Sequence, residues 1–463
     1  MLKKYIDQDR GRDISSRNSP CLVVFVIISM LAAQYRADRF QHLTVNDGLT
    51  QNTIHGIVRD DLGFMWFGSE DGLNKYDGYQ VWQFRNIPGD STSIADNFIL
   101  CLVKDSLGMI WIGTESGQLI KCDPNVDRFT NFGNVTHGFP IRTMISVGNH
   151  LWLGTEGGGI VDYSIEKKSS RVFGKSDGGL SDNEIRVLYH DSRDRFWVGT
   201  HHGGVTVMTA NQDSAWNFHT YSADPKNEKS LSWNEISMIT EDRSGIIWIG
   251  TIKSLDRLDE EDQTFTHFQI ENTTTNPYSA NGMIQLKDAL FIVSFQNQGL
   301  ARFNSDTGQF VRIIHYSSDP NSLSYDVVNG IYQDINGIVW IATRGGGVDW
   351  FNPNPVFVHY AYNETESNSL ANPSVRAILQ DDERNLWVAS YGGLDGFDKG
   401  GKLWHHFDDR DGVLSNKNVY SLAFINPNLW IGTEGGGLYI YNTKTGQFSH
   451  FAHAFSSNSG NNY

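Results

Sequence analysis

A short pattern built around tryptophan recurs along this chain and limits the folds that it can adopt. In each copy the tryptophan is followed by an apolar residue, by glycine or alanine, and then by threonine or serine. Eight of the 13 tryptophans hold this position: Trp66, Trp111, Trp152, Trp197, Trp248, Trp340, Trp387 and Trp430. A degraded copy begins at Phe291. The repeat is about 45 residues long, which is typical of the blades of a β-propeller.

Each repeat carries the signals of four short strands. It opens with a polar stretch such as Gly48-Leu-Thr-Gln-Asn52, continues with an apolar strand, and turns at an aspartate before the tryptophan strand. A tight turn and a third strand follow, and the fourth strand ends in paired aromatic residues such as Phe129 and Phe132. We therefore interpret each repeat as a four-stranded antiparallel meander. One such sheet is marginally stable alone, and packing several of them radially would bury both faces.

The predicted fold class is all-β: a β-propeller of four-stranded antiparallel blades, with seven blades in residues 40–353. Residues 40–50 resemble the end of one repeat and the start of the next, so we expect the N-terminal strand to complete the last blade. Residues 354–463 would form two further blades of an incomplete second propeller, because two blades cannot close on themselves. On this interpretation the chain is the front part of a longer protein. A single ring of eight or nine blades is the alternative.

The recurring residues have structural explanations. We expect the tryptophans to lie between adjacent sheets, with the glycine two residues later allowing the neighbouring sheet to come close. The aspartate turns lack the dense acidic loop of a calcium site, and capping of the turn by the side chain explains them better. Cys101 and Cys122 fall on the first and third strands of one repeat, too far apart for a disulfide, which predicts two free thiols.

The net charge and the N-terminal segment indicate which binding partners and which cellular location to expect. The net charge of −16 argues against binding to nucleic acid or anionic lipid through bulk electrostatics. Residues 21–33 form an apolar run that follows several basic residues and is too short to span a bilayer comfortably. The sequence therefore predicts a signal peptide or N-terminal anchor in residues 1–33, and export of the rest.

Several repeats resemble a known family. Gly48-Leu-Thr-Gln-Asn52, Gly63-Phe-Met-Trp-Phe-Gly68 and Asp319-Pro-Asn-Ser-Leu-Ser324 are similar to the two-component regulator propeller repeats, and the resemblance covers about residues 40–455. It implies the periplasmic sensor half of a bacterial hybrid sensor histidine kinase or of a propeller-linked diguanylate cyclase. The implied ligand is an oligo- or polysaccharide or another small molecule. The implied partner is a membrane-bound kinase or cyclase output domain, for which this chain has no motif; a homodimer is left open.

Recurrence also separates scaffold positions from candidate binding positions. The turn after the tryptophan strand varies from repeat to repeat, and in a propeller it would rim the central channel. Its side chains can offer hydrogen bonds and stacking to a sugar, although exposed hairpin tips are often only solvated. The candidate ligand-binding residues are Glu70, Glu115, Glu156, His201, His202, Arg344, Tyr391 and Glu434.

No catalytic residue, cofactor or metal is predicted. His201 and His202 are adjacent, so we expect their side chains to point apart, and no third metal ligand is evident. A sialidase-like glycoside hydrolase would need an arginine cluster, a tyrosine nucleophile and an acid/base pair, and the variable turns offer only Arg344. A protein-interaction scaffold is the other alternative to a sensor.

Overall fold

The structure is a computed structural model that describes residues 39–211, 215–269, 279–353, 360–363, 368–410 and 412–452. The export signal predicted in residues 1–33 lies outside this part of the chain. The described residues fall into two compact units, 39–353 and 360–452. Apart from two short 3₁₀ helices, at Val45–Asp47 and Lys175–Asp177, the regular elements of the described residues are β-strands. The all-β prediction is therefore confirmed.

The described part of the first unit contains seven four-stranded antiparallel sheets. Its strands, in chain order, are β1 (Gln41–Leu43), β2 (Ile54–Arg59), β3 (Met65–Ser69), β4 (Gly72–Tyr76), β5 (Val81–Phe84), β6 (Ile99–Lys104), β7 (Ile110–Thr114), β8 (Gln118–Asp123), β9 (Arg128–Asn134), β10 (Ile141–Val147), β11 (His150–Thr155), β12 (Ile160–Ser164), β13 (Ser169–Phe173), β14 (Ile185–His190), β15 (Phe196–Thr200), β16 (Val205–Ala210), β17 (Trp216–Tyr221), β18 (Ile236–Glu241), β19 (Ile247–Thr251), β20 (Leu255–Asp259), β21 (Thr264–Phe268), β22 (Ala280–Lys287), β23 (Leu290–Phe295), β24 (Gly299–Asn304), β25 (Gln309–Ile313), β26 (Val328–Gln333), β27 (Val339–Thr343) and β28 (Val348–Phe351). Sheets 1 to 6 take four consecutive strands each, starting from β2, and sheet 7 consists of β26, β27, β28 and β1.

The seven sheets contact one another in a circular order. The first strands of consecutive sheets pack side by side, and β2 of sheet 1 packs against β26 and β27 of sheet 7. Across this contact the rings of Phe67 and Trp340 lie with their centroids 5.9 Å apart. The N-terminal strand β1 pairs with β28, with His42 opposite Asp349, and so supplies the fourth strand of sheet 7. The expectation that the N-terminal strand completes the last sheet of residues 40–353 is confirmed by this pairing.

The recurring tryptophans join neighbouring sheets. Trp111 of sheet 2 is fully buried against Ile141, Leu151 and Leu153 of sheet 3. A Cβ atom added to Gly113, two residues later, would lie 2.6 Å from the Ile141 Cγ2 atom. That distance leaves no room for a side chain, so the glycine is needed for the close approach of the next sheet. Both structural explanations inferred from the sequence are confirmed here.

In six of the nine described sheets, an aspartate in the turn before the tryptophan strand accepts hydrogen bonds from both the turn and the tryptophan. In sheet 2 the Asp105 Oδ1 atom accepts hydrogen bonds from the Leu107 and Met109 backbone N–H groups, at 2.9 Å each. Its Oδ2 atom accepts the indole N–H of Trp111 at 2.8 Å. The same bond from an aspartate six residues earlier is made by Trp66, Trp197, Trp248, Trp340 and Trp387. Turn capping was expected from the sequence; the bond to the indole was not.

The second unit has two four-stranded sheets within its described residues. Sheet 8 and sheet 9 comprise β29 (Val375–Gln380), β30 (Leu386–Ser390), β31 (Gly393–Phe397), β32 (Leu403–Phe407), β33 (Val419–Ile425), β34 (Asn428–Thr433), β35 (Gly437–Asn442) and β36 (Phe448–Phe451). Trp387, Phe407, Tyr439 and Tyr441 share one core between the two sheets. The packing between these sheets therefore uses the same tryptophan position as the first unit.

The two cysteines of the first unit are free thiols, as predicted. Cys101 lies on β6 and Cys122 on β8, with β7 between them. Burial raises the pKa of each thiol to about 12, so neither is a reactive thiolate near neutral pH. They contribute to packing.

Candidate ligand-binding rim

One end of the first unit brings together two kinds of segment, which we call the rim. These are the turn between the second and third strands of each sheet and the segment that opens the next sheet. Backbone bonds join them: the Gly72 N–H donates to the Asn97 carbonyl at 2.8 Å, and the Gly347 N–H donates to the Asn52 carbonyl at 2.9 Å. The second of these bonds links sheet 7 to sheet 1. The variable turns and the sheet-opening segments therefore lie on the same face.

The first strand of every described sheet has a register irregularity at its second residue. In the first unit this bulge residue is His55, Leu100, Arg142, Arg186, Ser237, Asn281 or Asn329. A bulge leaves one residue outside the ladder pairing and re-aims its side chain. Because the first strands pack against one another around the unit, these side chains lie at its centre, next to the rim.

Six of these seven bulge residues divide into two groups, whereas the seventh, Arg186, pairs with Glu184 at 2.7 Å. Ser237, Asn281 and Asn329 each donate a side-chain hydrogen bond to the carbonyl that begins the next first strand, at 2.7, 2.5 and 2.8 Å. They fasten neighbouring sheets. His55, Leu100 and Arg142 instead line a cavity of about 250 Å³ between the first strands of sheets 1, 2, 3 and 7. His55 and Arg142 therefore contribute polar groups to the cavity lining.

Both acidic and basic side chains lie at the mouth of the cavity. The His55 Nε2 atom lies 3.4 Å from a Glu70 carboxylate oxygen. Burial lowers the pKa of His55, the nearby Arg142 and Arg344 act in the same direction, and Glu70 opposes them. A neutral imidazole, a carboxylate and two guanidinium groups thus lie close to one another. Within the described residues neither Arg142 nor Arg344 makes an ion pair, so both retain hydrogen-bond donors for a ligand.

The sequence-derived candidates in the first unit all lie in the turns of the rim, and the structure brings some of them together. Glu70 accepts a bond from the Gln51 side chain at 3.1 Å and lies beside the cavity. Arg344 is exposed and its backbone bridges to Thr53 in the opening segment of sheet 1. Glu156 bridges through its backbone to Glu184, next to His201. Glu115 is exposed and shows only a backbone bond to Phe98.

The expectation that the His201 and His202 side chains point apart is wrong. Their ring centroids lie 3.9 Å apart. No third potential metal ligand was evident from the sequence, and in the structure Glu184 places a carboxylate oxygen 3.2 Å from the His201 Nδ1 atom. Glu184 is 17 residues away in sequence, and the backbone bond from the His201 N–H to the Glu184 carbonyl joins the two segments at 3.0 Å.

Two candidates belong to the second unit. Tyr391 lies under the Arg376 guanidinium, whose central carbon is 4.3 Å from the ring centroid, and its hydroxyl is 3.0 Å from that of Tyr420. Arg376 and Tyr420 are the bulge residues of sheets 8 and 9. The Glu434 carboxylate accepts a bond from the Asn418 side chain at 2.8 Å. Tyr391 and its two neighbours thus form an aromatic and cationic cluster.

Exposed aromatic residues on the rim were missed by the sequence reasoning. Phe139, Trp233 and Tyr325 are each 40–44 % exposed and lie in the segments that open sheets 3, 5 and 7. Each contacts the turn of its own sheet; for example, the Lys253 ammonium lies 3.9 Å from the Trp233 ring centroid. The residue next to the recurring asparagine varies among the repeats, and that variation is the signal that could have found Trp233.

Comparison with known proteins agrees with this repeat architecture. The family model described as "Two component regulator propeller" matches residues 93–116, 179–202, 230–253, 322–345 and 369–392. These five segments are therefore similar to two-component regulator propeller repeats. Each matched segment runs from the stretch that opens a sheet to the turn after the tryptophan strand of that sheet.

One relative and one solved structure are similar to parts of this chain. A histidine kinase P4 from Formosa agariphila is 40 % identical over 74 residues, which are 15 % of this chain and 5 % of the kinase. The extracellular domain of a putative hybrid two-component system from B. thetaiotaomicron superposes with a TM-score of 0.66 at 24 % identity, over 89 % of this chain and 54 % of that domain. The chain therefore spans about half the length of that solved domain.

A second solved structure with a similar fold is that of an enzyme. Virginiamycin B lyase from Staphylococcus aureus matches with a TM-score of 0.51 at 12 % identity, over 68 % of this chain and 99 % of the lyase. Enzymes and sensors thus share this architecture, and function has to be argued from the rim. Among the described residues, no helix has the length and apolarity needed to cross a bilayer.

Proposed function

We propose that this chain is a periplasmic ligand-sensing propeller of a bacterial two-component-like system, and that its rim binds an oligo- or polysaccharide. In this proposal residues 40–353 form a closed seven-bladed ring, and residues 354–463 contribute blades of a second one. The output would come from a membrane-bound kinase or cyclase domain. The export signal predicted in residues 1–33 and the extracellular origin of the solved neighbour support the location.

The proposal of a sugar ligand is supported mainly by exposed aromatic rings that lie beside polar side chains at the rim. Phe139, Trp233 and Tyr325 present apolar faces to solvent at the rim. Arg142 and Arg344 lie near the same channel without ion pairs among the described residues. Sugars have apolar C–H faces and many hydroxyl groups, so they suit a surface that combines ring faces with directed donors and acceptors. A uniformly charged ligand would not explain the exposed rings.

The proposal is tested by binding measurements on the full chain. An oligosaccharide panel is screened by glycan array, and hits are measured by isothermal titration calorimetry. Trp233→Ala is expected to weaken binding about two- to twelvefold, because one aromatic contact contributes roughly 0.5–1.5 kcal/mol. Trp82→Ala is the matched control, since Trp82 is also 40 % exposed but lies on the outer strand β5.

Other outcomes identify the alternatives. If no glycan binds and the rim variants change only the capture of a protein partner, the chain is an interaction scaffold. Steady release of reducing ends from a polysaccharide panel would make it a hydrolase. We expect neither, because the exposed aromatic and polar side chains of the rim support ligand binding, and the sequence does not predict the nucleophile and acid/base pair that a hydrolase needs.

A further inference from the structure

The side chains of Glu184, His201 and His202 converge at the rim of sheet 4. One potential ligand atom from each of them lies within 4.8 Å of the other two. Glu184 immediately precedes β14, and the two histidines follow β15, so the three come from adjacent strand ends of one sheet. The backbone bond from the His201 N–H to the Glu184 carbonyl, at 3.0 Å, holds these two segments together. The cluster is therefore positioned by the sheet.

Further contacts fix the histidine turn. The His202 N–H donates to the Asp182 carboxylate at 3.1 Å, and the Gly203 N–H donates to the Thr200 hydroxyl at 2.9 Å. This compact turn explains why the rings of sequence neighbours face each other with centroids 3.9 Å apart. In an extended strand the same two side chains would point to opposite faces.

A second, independent observation is the pair of carboxylates on the His201 ring. Glu184 lies 3.2 Å from the Nδ1 atom, and Glu235 of the neighbouring sheet lies 3.4 Å from the Nε2 atom. A histidine that ligates a metal usually donates its other N–H group to a carboxylate, which fixes the tautomer and the ring orientation. Glu235 is placed for this outer role while the Nδ1 side faces Glu184. Arg186 binds the Glu184 Oε1 atom at 2.7 Å, and the Oε2 atom faces His201.

We propose that Glu184, His201 and His202 bind a zinc ion, with Glu235 orienting His201. Two imidazoles and one carboxylate form a donor set that suits Zn²⁺, whereas Mg²⁺ and Ca²⁺ prefer oxygen ligands alone. Tetrahedral ligands at about 2.0–2.1 Å from the metal are about 3.3 Å apart, so the cluster has to contract slightly on binding. His202 is exposed and can rotate to do so. The fourth position would face solvent at the rim.

The test is a zinc titration of the untagged full chain after dialysis against a chelator. Isothermal titration calorimetry should show one Zn²⁺ per chain, and Co²⁺ should give the visible absorption of a tetrahedral site. His202→Ala and Glu184→Gln should each weaken binding at least about tenfold, and Glu235→Gln by about 10–100-fold. His219→Ala is the matched control, because His219 is exposed on the outer strand β17 of the same sheet.

Two results would overturn the zinc site. One is the absence of stoichiometric binding in the wild-type chain. The other is zinc binding that is unchanged in His202→Ala while circular dichroism shows that the variant is folded. Because the titration contains no sugar and the proposed zinc ligands differ from Trp233, failure of the zinc site leaves the glycan test unaffected, and failure of the glycan test leaves the zinc titration unaffected.

Discussion

The contribution of the bond between the turn aspartate and the tryptophan to stability can be measured, because the first unit contains several recurring tryptophans that make this bond and one, Trp152, that does not. Trp111 donates its indole N–H to the Asp105 carboxylate at 2.8 Å, and both residues are buried. Trp152 occupies the same position in sheet 3, where no aspartate precedes it, and no hydrogen bond from its indole is found within the described residues. Both pack against the next sheet. The comparison of Trp111→Phe with Trp152→Phe therefore isolates the bond.

The expected free energies follow from two contributions. Replacing an indole by a smaller ring in a tight core should cost about 1–2 kcal/mol of unfolding free energy in both variants. Trp111→Phe also removes a hydrogen bond to a charged group and leaves a buried carboxylate oxygen unpaired, which adds about 1.5–3 kcal/mol. Trp111→Phe is thus expected to lose about 2.5–5 kcal/mol in total, and Trp152→Phe only the packing contribution.

The assay is urea unfolding of the full chain, followed by far-ultraviolet circular dichroism. Both substitutions lie in the first unit, so they are compared within the same transition. A larger decrease of the midpoint for Trp111→Phe supports the reasoning. Equal decreases would show that the indole–carboxylate bond contributes nothing beyond packing, and that the recurring aspartate serves the turn alone.

Two further predictions concern the same unit. The Asp256 hydrogen bond raises the pKa of His267 despite the opposing effect of burial. Protonated His267 therefore stabilises the fold fully below about pH 6.5, and this contribution is lost as the pH rises through the higher folded pKa. His267→Gln should accordingly reduce the unfolding free energy more at about pH 6 than at about pH 9, with His219→Gln as the control for loss of an exposed imidazole. Gly113→Ala should lower the unfolding free energy by about 1–3 kcal/mol, because the added Cβ atom would overpack against Ile141. Gly330→Ala is the control: its added Cβ atom meets no other atom within 4 Å, so the unfolding free energy should change by less than about 0.5 kcal/mol. Equal losses in the two variants would contradict the inference that Gly113 is needed for the close approach of the next sheet.

The sheet architecture was predictable because the same residue types make the same packing contacts in most repeats. Trp111 and Gly113 are constrained by the neighbouring sheet, and their counterparts in most other repeats meet the same constraint. Recurrence within one chain therefore reports on packing even without related sequences. The opposite holds for the rim, where no shared neighbour dictates the residue.

The bulge residues were missed for a physical reason. Sequence alternation gave the strands, but His55 and Arg142 leave the alternation because each sits at a register irregularity. An irregularity shifts one side chain without changing the apolar pattern on either side of it. The proximity of Glu184 and His201 was missed because 17 residues separate them in the sequence. In the structure a backbone hydrogen bond joins the two segments.

The aspartate–tryptophan bond, in contrast, was available in the sequence and was overlooked. Six of the recurring tryptophans have an aspartate six residues earlier, and these are the six that make the bond. The three remaining repeats lack that aspartate, and in one of them phenylalanine, Phe291, replaces the tryptophan. In another, the indole nitrogen of Trp430 is buried without a partner. An unpaired buried donor is costly, so the repeat of Trp430 gives up stability that the six bonded repeats retain. Joint variation of two positions among the repeats of one chain thus identifies a contact, just as recurrence of a single position identifies the core.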